Sequence, residues 1–274
     1  MTIATAVPGI PGATMRQVEE LPADLPDSSP AGPLVQARPG QLLLVQPGVG
    51  RFLARDGDCI EFVREPDADP GLVSLILHGT ARGALIHQRG ELPLHAATLV
   101  PPGRDEAVAI CGASGAGKST LGAELSRRGW TLVADDTTRV SWDGTRPLVW
   151  PSRDSIKLWR DACDVAGVDP SQLERVARGL DKYYVHVPSL DRPVALGAIG
   201  ELTGPGEGML SAGDKMALIS RHTYRASHIQ PLGMQRQHVR LVARLASACR
   251  MFTLPGDKSL PVGKLADAIE TMVP

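Results

Sequence analysis

The residues Gly112-Ala113-Ser114-Gly115-Ala116-Gly117-Lys118-Ser119 constrain this chain more than any other feature. They match the glycine-rich phosphate-binding pattern in full, with lysine and serine closing the loop. The spacing has a physical reason. Gly112, Gly115 and Gly117 let the backbone turn sharply and aim successive N–H groups at one point, and a helix beginning near Lys118 adds its positive end. Lys118 is then placed to reach the β- and γ-phosphates of a nucleotide, and the Ser119 hydroxyl to ligate Mg²⁺. The flanks agree. An apolar strand, Ala107 to Cys111, leads into the loop, and a helix from Lys118 to about Arg128 follows with Leu121 and Leu125 inward. Strand, loop and helix in this order predict an α/β core.

The next strand, Thr131 to Ala134, ends on Asp135 and Asp136. An apolar strand that ends on an acid returns a carboxylate to the edge of the phosphate site. Neighbouring strand residues point to opposite faces, so the two acids are expected to do different jobs. One holds the metal or a histidine; the other faces an acceptor hydroxyl and takes its proton. His95 lies in an expected strand from Leu92 to Val100 that leads into the phosphate-loop strand. There it can sit beside the aspartates and either stabilise their charge or relay a proton.

Around this centre the reading is coarser. Residues 1–32 carry Pro8, Pro11, Pro22, Pro26 and Pro30 among few large apolar residues, which predicts a poorly ordered tail or an arm over the surface. Residues 33–66 contain the runs Leu42–Val45, Arg51–Ala54 and Ile60–Val63 between turn signals, a small antiparallel β-layer. Residues 67–274 are assigned to the nucleotide-binding core and its C-terminal elements. They include helices over Gly71–Gln88 and Arg236–Cys249, strands at Lys157–Trp159, Ala195–Leu202 and Met251–Leu254, and helical stretches around Asp161, Leu173 and from Asp214 to Tyr224. A closing helix carries Val262, Leu265, Ile269 and Met272 on one face. Arg221 and Arg225, flanking His222, are candidates to clamp phosphate charge. Arg236, Arg240 and Arg244 read as a solvated stripe, and Lys182, Tyr183 and Tyr184 as surface residues with a possible acceptor contact.

Composition removes other classes. The 29 basic and 30 acidic residues of this 274-residue chain nearly cancel, and aromatics are only 4%; neither a basic field nor stacking platforms point to nucleic acid. No stretch has the pattern of an export signal or of a membrane span. Scattered Cys59, Cys111, Cys163 and Cys249 lack metal or redox spacing. A soluble, cytoplasmic protein with reduced thiols is expected.

The stretch from Leu85 to Arg139 resembles the catalytic core of HPr kinase/phosphorylase. The likeness rests on His95-Ala96, the loop Gly112–Ser119, the turn Arg128-Gly129 and the ending Ala134-Asp135-Asp136. It is similar more closely to HPr-kinase-like serine kinases, some of which modify precursors of lasso peptides and other ribosomal natural products. Leu85-Ile86-His87-Gln88-Arg89-Gly90, Leu94-His95-Ala96 and Lys157-Leu158-Trp159 carry that closer likeness. The resemblance implies an HPr-kinase-like P-loop fold, Mg²⁺ and ATP bound by Gly112 to Thr120, and Asp136 as base toward a serine hydroxyl on a peptide or protein. Asp135, as metal ligand, and His95 would support that base. The family's hexamers make a homo-oligomer the expectation. Thr120 stands where HPr kinases have glutamate, and their second signature is not matched; Asp154 and Asp161 lie in that part of the chain. A P-loop small-molecule kinase and a nucleotide-binding regulator without turnover are the alternative readings.

Overall fold

The three apolar runs after residue 40 form the centre of a larger sheet than the sequence suggests. In the computed structural model, residues 4–203, 208–256 and 260–273 are described. Seven strands make this sheet: β1 (Thr5–Ala6), β2 (Thr14–Gln17), β3 (Ser29–Gly32), β4 (Val35–Arg38), β5 (Gln41–Gln46), β6 (Gly50–Arg55) and β7 (Cys59–Arg64), in the order β1-β2-β7-β6-β5-β4-β3. From β3 to β7 the strands form an antiparallel meander, whereas β2 runs parallel to β7. Asp56 and Gly57 both have positive φ between β6 and β7, the turn that matches strand twist. The helix expected over Gly71–Gln88 is present as α1 (Pro70–Ile76), a π-helical turn (Leu77–Ala81) and α2 (Arg82–Gln88). Asp69 caps its start by accepting from Leu72 N–H.

Strand alternation divides the apolar residues between two faces. Leu42, Phe52, Ala54 and Ile60 pack with Val73, Leu77, Ala84 and Leu85, while Leu43 and Leu53 face Leu21 and Leu25. Residues 4–32 are therefore not a tail. Val7, Ile10, Ala13, Met15 and Ala31 belong to the first cluster and Leu21 and Leu25 to the second. Their spacing between prolines has no helical or strand period, yet each fills one face of the sheet. Nor does the layer end at residue 66. The chain divides into two units, the first made of residues up to Pro93 with 176–179 and 224–241, the second of Leu94–Arg175, Leu180–Thr223 and the residues from Val242.

After a short strand β8 (Leu92–Leu94), the elements are β9 (Ala96–Val100), β10 (Glu106–Gly112), α3 (Lys118–Arg127), β11 (Thr131–Ala134), β12 (Thr138–Asp143), β13 (Arg146–Val149), β14 (Ser155–Trp159), α4 (Arg160–Ala166), β15 (Lys182–His186), β16 (Val194–Thr203), β17 (Gly208–Met209), α5 (Ala212–Arg221), α6 (Gln235–Ala248), β18 (Arg250–Pro255) and α7 (Val262–Met272). In the second unit β10 lies between β9, antiparallel, and β16, parallel; β16 also pairs in parallel with β18. Every residue of β10 after Glu106 is buried, as a strand covered on both faces requires. Val108 and Ile110 of β10 pack with Leu121 and Leu125 of α3, Leu132 of β11 and Leu265 and Ile269 of α7. Only a 3₁₀ turn, Pro170–Gln172, stands where a helix was expected near Leu173. The segment expected to be helical to Tyr224 stops at Arg221. Among the described residues no helix is long and apolar enough to cross a membrane.

Candidate active site

The phosphate loop leaves the end of β10 and returns into α3, as the spacing predicts. Gly115 and Gly117 have φ of 76° and 94°, values that a side chain resists. Gly112 has its own reason. A Cβ there would lie 3.2 Å from Ala116 Cβ and from Leu202 Cβ and O. The Lys118 ammonium folds back to donate to Gly112 O at 2.9 Å and Ala113 O at 3.0 Å. Burial pushes it below the usual lysine range. The ammonium therefore rests on carbonyls of its own loop.

Asp135 ties the loop to the rest of the site. Its Oδ1 accepts from the Ser119 hydroxyl at 3.1 Å and its Oδ2 from the backbone N–H of Lys157 at 3.0 Å. Burial raises its pKa, against the nearby charge of Lys157. Asp136 departs from expectation. The strand ends at Ala134, and Asp136 has φ of 72° inside a tight turn closed by Thr137 N–H onto Asp135 O at 2.9 Å. Alternation along a strand does not apply past its end, so both acids line the same cleft instead of opposite faces. A non-glycine residue held at positive φ stores strain that surrounding contacts must hold.

Those contacts are specific. Lys157 Nζ meets Asp136 Oδ2 at 2.7 Å, and His95 Nδ1 donates to Asp136 O at 2.9 Å and lies 3.4 Å from its Oδ1. Burial works to raise the Asp136 pKa, but Lys157, by charge and hydrogen bond, and then His95 outweigh it, and the carboxyl titrates below the usual range. His95 is itself pushed down, by burial first and then by Lys118, so near pH 7 it is neutral. It is not inside a strand: the pairing breaks between β8 and β9, and its N–H donates to His222 O at 2.8 Å. The cleft has a volume of about 680 Å³, within the range of small-molecule sites. His95, Ser114, Gly115, Gly117, Lys118, Ser119, Thr120, Asp135 and Asp136 line it, joined by Lys157, Trp159 and Lys182.

Other candidates fall elsewhere. Arg221 is engaged in a two-pronged pair with buried Glu201, at 3.0 Å from each nitrogen, and His222 Nε2 reaches the same carboxylate at 2.6 Å. That pairing takes the charge Arg221 would bring to a phosphate. Arg225 belongs to the first unit, where its guanidinium lies 5.5 Å from the Tyr224 ring. Asp154 is exposed, 3.3 Å from His186 Nδ1, and does not line the cleft. Tyr183 and Tyr184 are buried, not surface residues, because β15 packs one of them into the core and pairs with β14. Arg236, Arg240 and Arg244 are exposed as expected.

The sequence reading missed Lys157 as a cleft residue, while Lys182, read as a surface residue with a possible acceptor contact, does line the cleft. The signal was available for Lys157: in Ser155–Trp159 it is the charged residue between buried Ile156 and Leu158, so it points away from the core those two enter. The Glu201–Arg221–His222 cluster joins residues about twenty apart and leaves no local pattern.

No protein-family model matches the chain, and no curated protein matches it. Among solved structures the chain is similar to the HPr(Ser) kinase/phosphatase from Coxiella burnetii, 20% identical, with a TM-score of 0.28. That match covers 41% of this chain and 60% of the other. A likeness of that size assigns no role to any residue, and the roles rest on the geometry of the cleft.

Proposed function

We propose that this chain is a kinase that transfers the γ-phosphoryl group of ATP to a serine hydroxyl of a peptide or protein. One observation carries the reading: Asp136 lies in the cleft of the phosphate loop, one residue from the carboxylate that holds Ser119. A loop alone binds phosphate. A second carboxylate beside it gives the acceptor's proton a place to go.

The residues present fit Mg²⁺. Ser119 and Asp135 already place a hydroxyl and a carboxylate oxygen 3.1 Å apart. Magnesium is commonly held this way, by one or two protein oxygens with phosphate and water supplying the others. Bound there, it supplies positive charge to the phosphate oxygens. The chain's own residues do the rest. Gly112 to Thr120 cradle the phosphates, and Lys118 exchanges loop carbonyls for phosphate oxygens. Asp136 accepts the hydroxyl proton while the acceptor oxygen bonds to the γ-phosphorus. The bond from that phosphorus to the β–γ bridging oxygen breaks, and ADP leaves with its electron pair. His95 holds Asp136 in place through Nδ1–H.

The serine acceptor and its peptide context are inferred from the sequence resemblance, and a precursor peptide of a ribosomal natural product is the acceptor to try first. Half-exposed Trp159, with Lys182 Nζ 5.2 Å from its ring, gives the cleft an aromatic and cationic wall for such a segment. The test is transfer of labelled γ-phosphate from ATP into a cell extract, with Asp136→Asn as control. Label on serine in a peptide or protein, absent with the variant, supports the reading. Label confined to a small metabolite replaces it with a small-molecule kinase, and no transfer at all sinks it.

A further inference from the structure

Lys157 occupies a position that the proposed reaction cannot leave unchanged. Its Nζ lies 2.7 Å from Asp136 Oδ2, an oxygen of the carboxylate that must be open to receive a hydroxyl proton. A carboxylate capped by an ammonium has that charge already satisfied and is a poor proton acceptor. Its backbone fixes where the lysine can go. Lys157 N–H donates to Asp135 Oδ2 while Asp135 Oδ1 accepts from Ser119, so one carboxylate separates the base of the lysine stem from the phosphate loop. A flexible four-carbon stem anchored there can place its ammonium on either side. His95, Lys182, Lys118 and Asp135 are further charged or titratable groups around Asp136. His95 is held through its ring on the Asp136 carbonyl and through its backbone on His222 O. Among these, Lys157 makes the short side-chain contact with the carboxylate, at the end of a flexible stem.

We propose that Lys157 is a latch on Asp136 that the γ-phosphate opens: the ammonium leaves the carboxylate for the terminal phosphate of a bound nucleoside triphosphate, and so uncovers the base only when a phosphoryl donor is in place. This rests on the kinase reading above and adds to it a γ-phosphate ligand and a form of control. A diphosphate, lacking the terminal group, leaves the latch shut.

The test is equilibrium binding on the full chain, by calorimetry with Mg²⁺, of a non-hydrolysable ATP analogue and of ADP. Wild type, Lys157→Gln, Asp136→Asn and the double variant are compared. Removing a charge-assisted phosphate contact weakens the analogue roughly tenfold or more, with ADP unchanged. The cost of Lys157→Gln is larger in the Asp136→Asn background, because there the contact with the Asp136 carboxylate no longer competes with the phosphate. Equal cost in both backgrounds means Lys157 acts as a fixed charge beside Asp136, and equal cost for ADP means it does not reach the terminal phosphate. Either result overturns the latch and leaves the kinase reading standing. An analogue that fails to bind wild type sinks the kinase reading and the latch with it. The Lys157 substitution keeps the Asp135 contact, which its backbone makes. Should a variant not fold, spectra of [¹⁵N]lysine-labelled wild type decide: the Lys157 Nζ resonance moves with the analogue and not with ADP. A resonance that stays put while the analogue binds overturns the latch.

Discussion

On the proposed reaction, replacing Asp136 by asparagine keeps the side chain's size and one of its oxygens but removes the charge that would accept the proton. Transfer is expected to fall by about two to four orders of magnitude, while nucleotide binding is retained. Lys118→Ala removes a phosphate contact and charge at the transition state together, so both binding and transfer decline. Single-turnover transfer and calorimetric binding on the two variants separate these patterns; parallel loss of both in Asp136→Asn would mark that residue as a metal ligand instead. At this scale the sequence was informative about identity and weak about orientation. That the loop, Asp135, Asp136 and His95 lie at one cleft was legible, because each sits in or beside the strands that flank the glycine-rich loop. The direction of Asp136 was not, since a positive φ at a non-glycine residue is imposed by contacts with His95 and Lys157. Those partners lie 41 and 21 residues away.

At the scale of elements, periodic apolar residues marked the helices α3, α6 and α7 and the strands on either side of the phosphate loop. Irregular elements escaped, because their cause is packing. Gly71 illustrates this: a Cβ there would lie 2.1 Å from Val176 O and 2.7 Å from Ala177 Cα, backbone atoms of a segment more than a hundred residues later. Gly71→Ala should therefore cost about 1–3 kcal/mol or more, read as a lower urea midpoint with unchanged slope. A gain in stability would mean that the later segment yields. The first unit also buries two histidines, His87 and His228, with ring centroids 6.3 Å apart. Burial lowers them to about 4 and about 3. An unfolded histidine titrates near 6.5, so below that pH the unfolded chain takes up protons that the folded one refuses. Their contribution is intact above about pH 6.5 and falls with pH until the folded values are reached. Between pH 7 and pH 5 the loss should be about 2 kcal/mol for each histidine. Urea unfolding at the two pH values tests this, and His228→Gln should reduce the difference by about 2 kcal/mol. An equal loss in that variant would assign the pH dependence to other groups.

For the whole molecule, the boundary between units matters more than any single element. The first unit gathers residues from before Pro93, from 176–179 and from 224–241, so no single cut releases it with all its parts. A linear reading placed a boundary at residue 32 because prolines and scattered apolar residues resemble a disordered arm. What it could not see is that these residues are needed by faces built later in the chain. Val7, Ile10, Ala13, Met15 and Ala31 close one face of the sheet, Leu21 and Leu25 close the other, and β2 pairs along β7. Removing residues 1–32 would expose both faces and an edge strand. At roughly 1.5–3 kcal/mol for each large apolar side chain returned to water, the loss reaches the range of a whole domain's stability. A chain beginning at residue 33 is thus expected to be insoluble or to unfold without a cooperative transition, even though every residue of the cleft remains. Expression of that chain beside the full one, followed by thermal unfolding, decides the point. If it stays soluble and melts within a few degrees of the full chain, the first 32 residues are a covering and not part of the core. If it collapses, they complete the sheet.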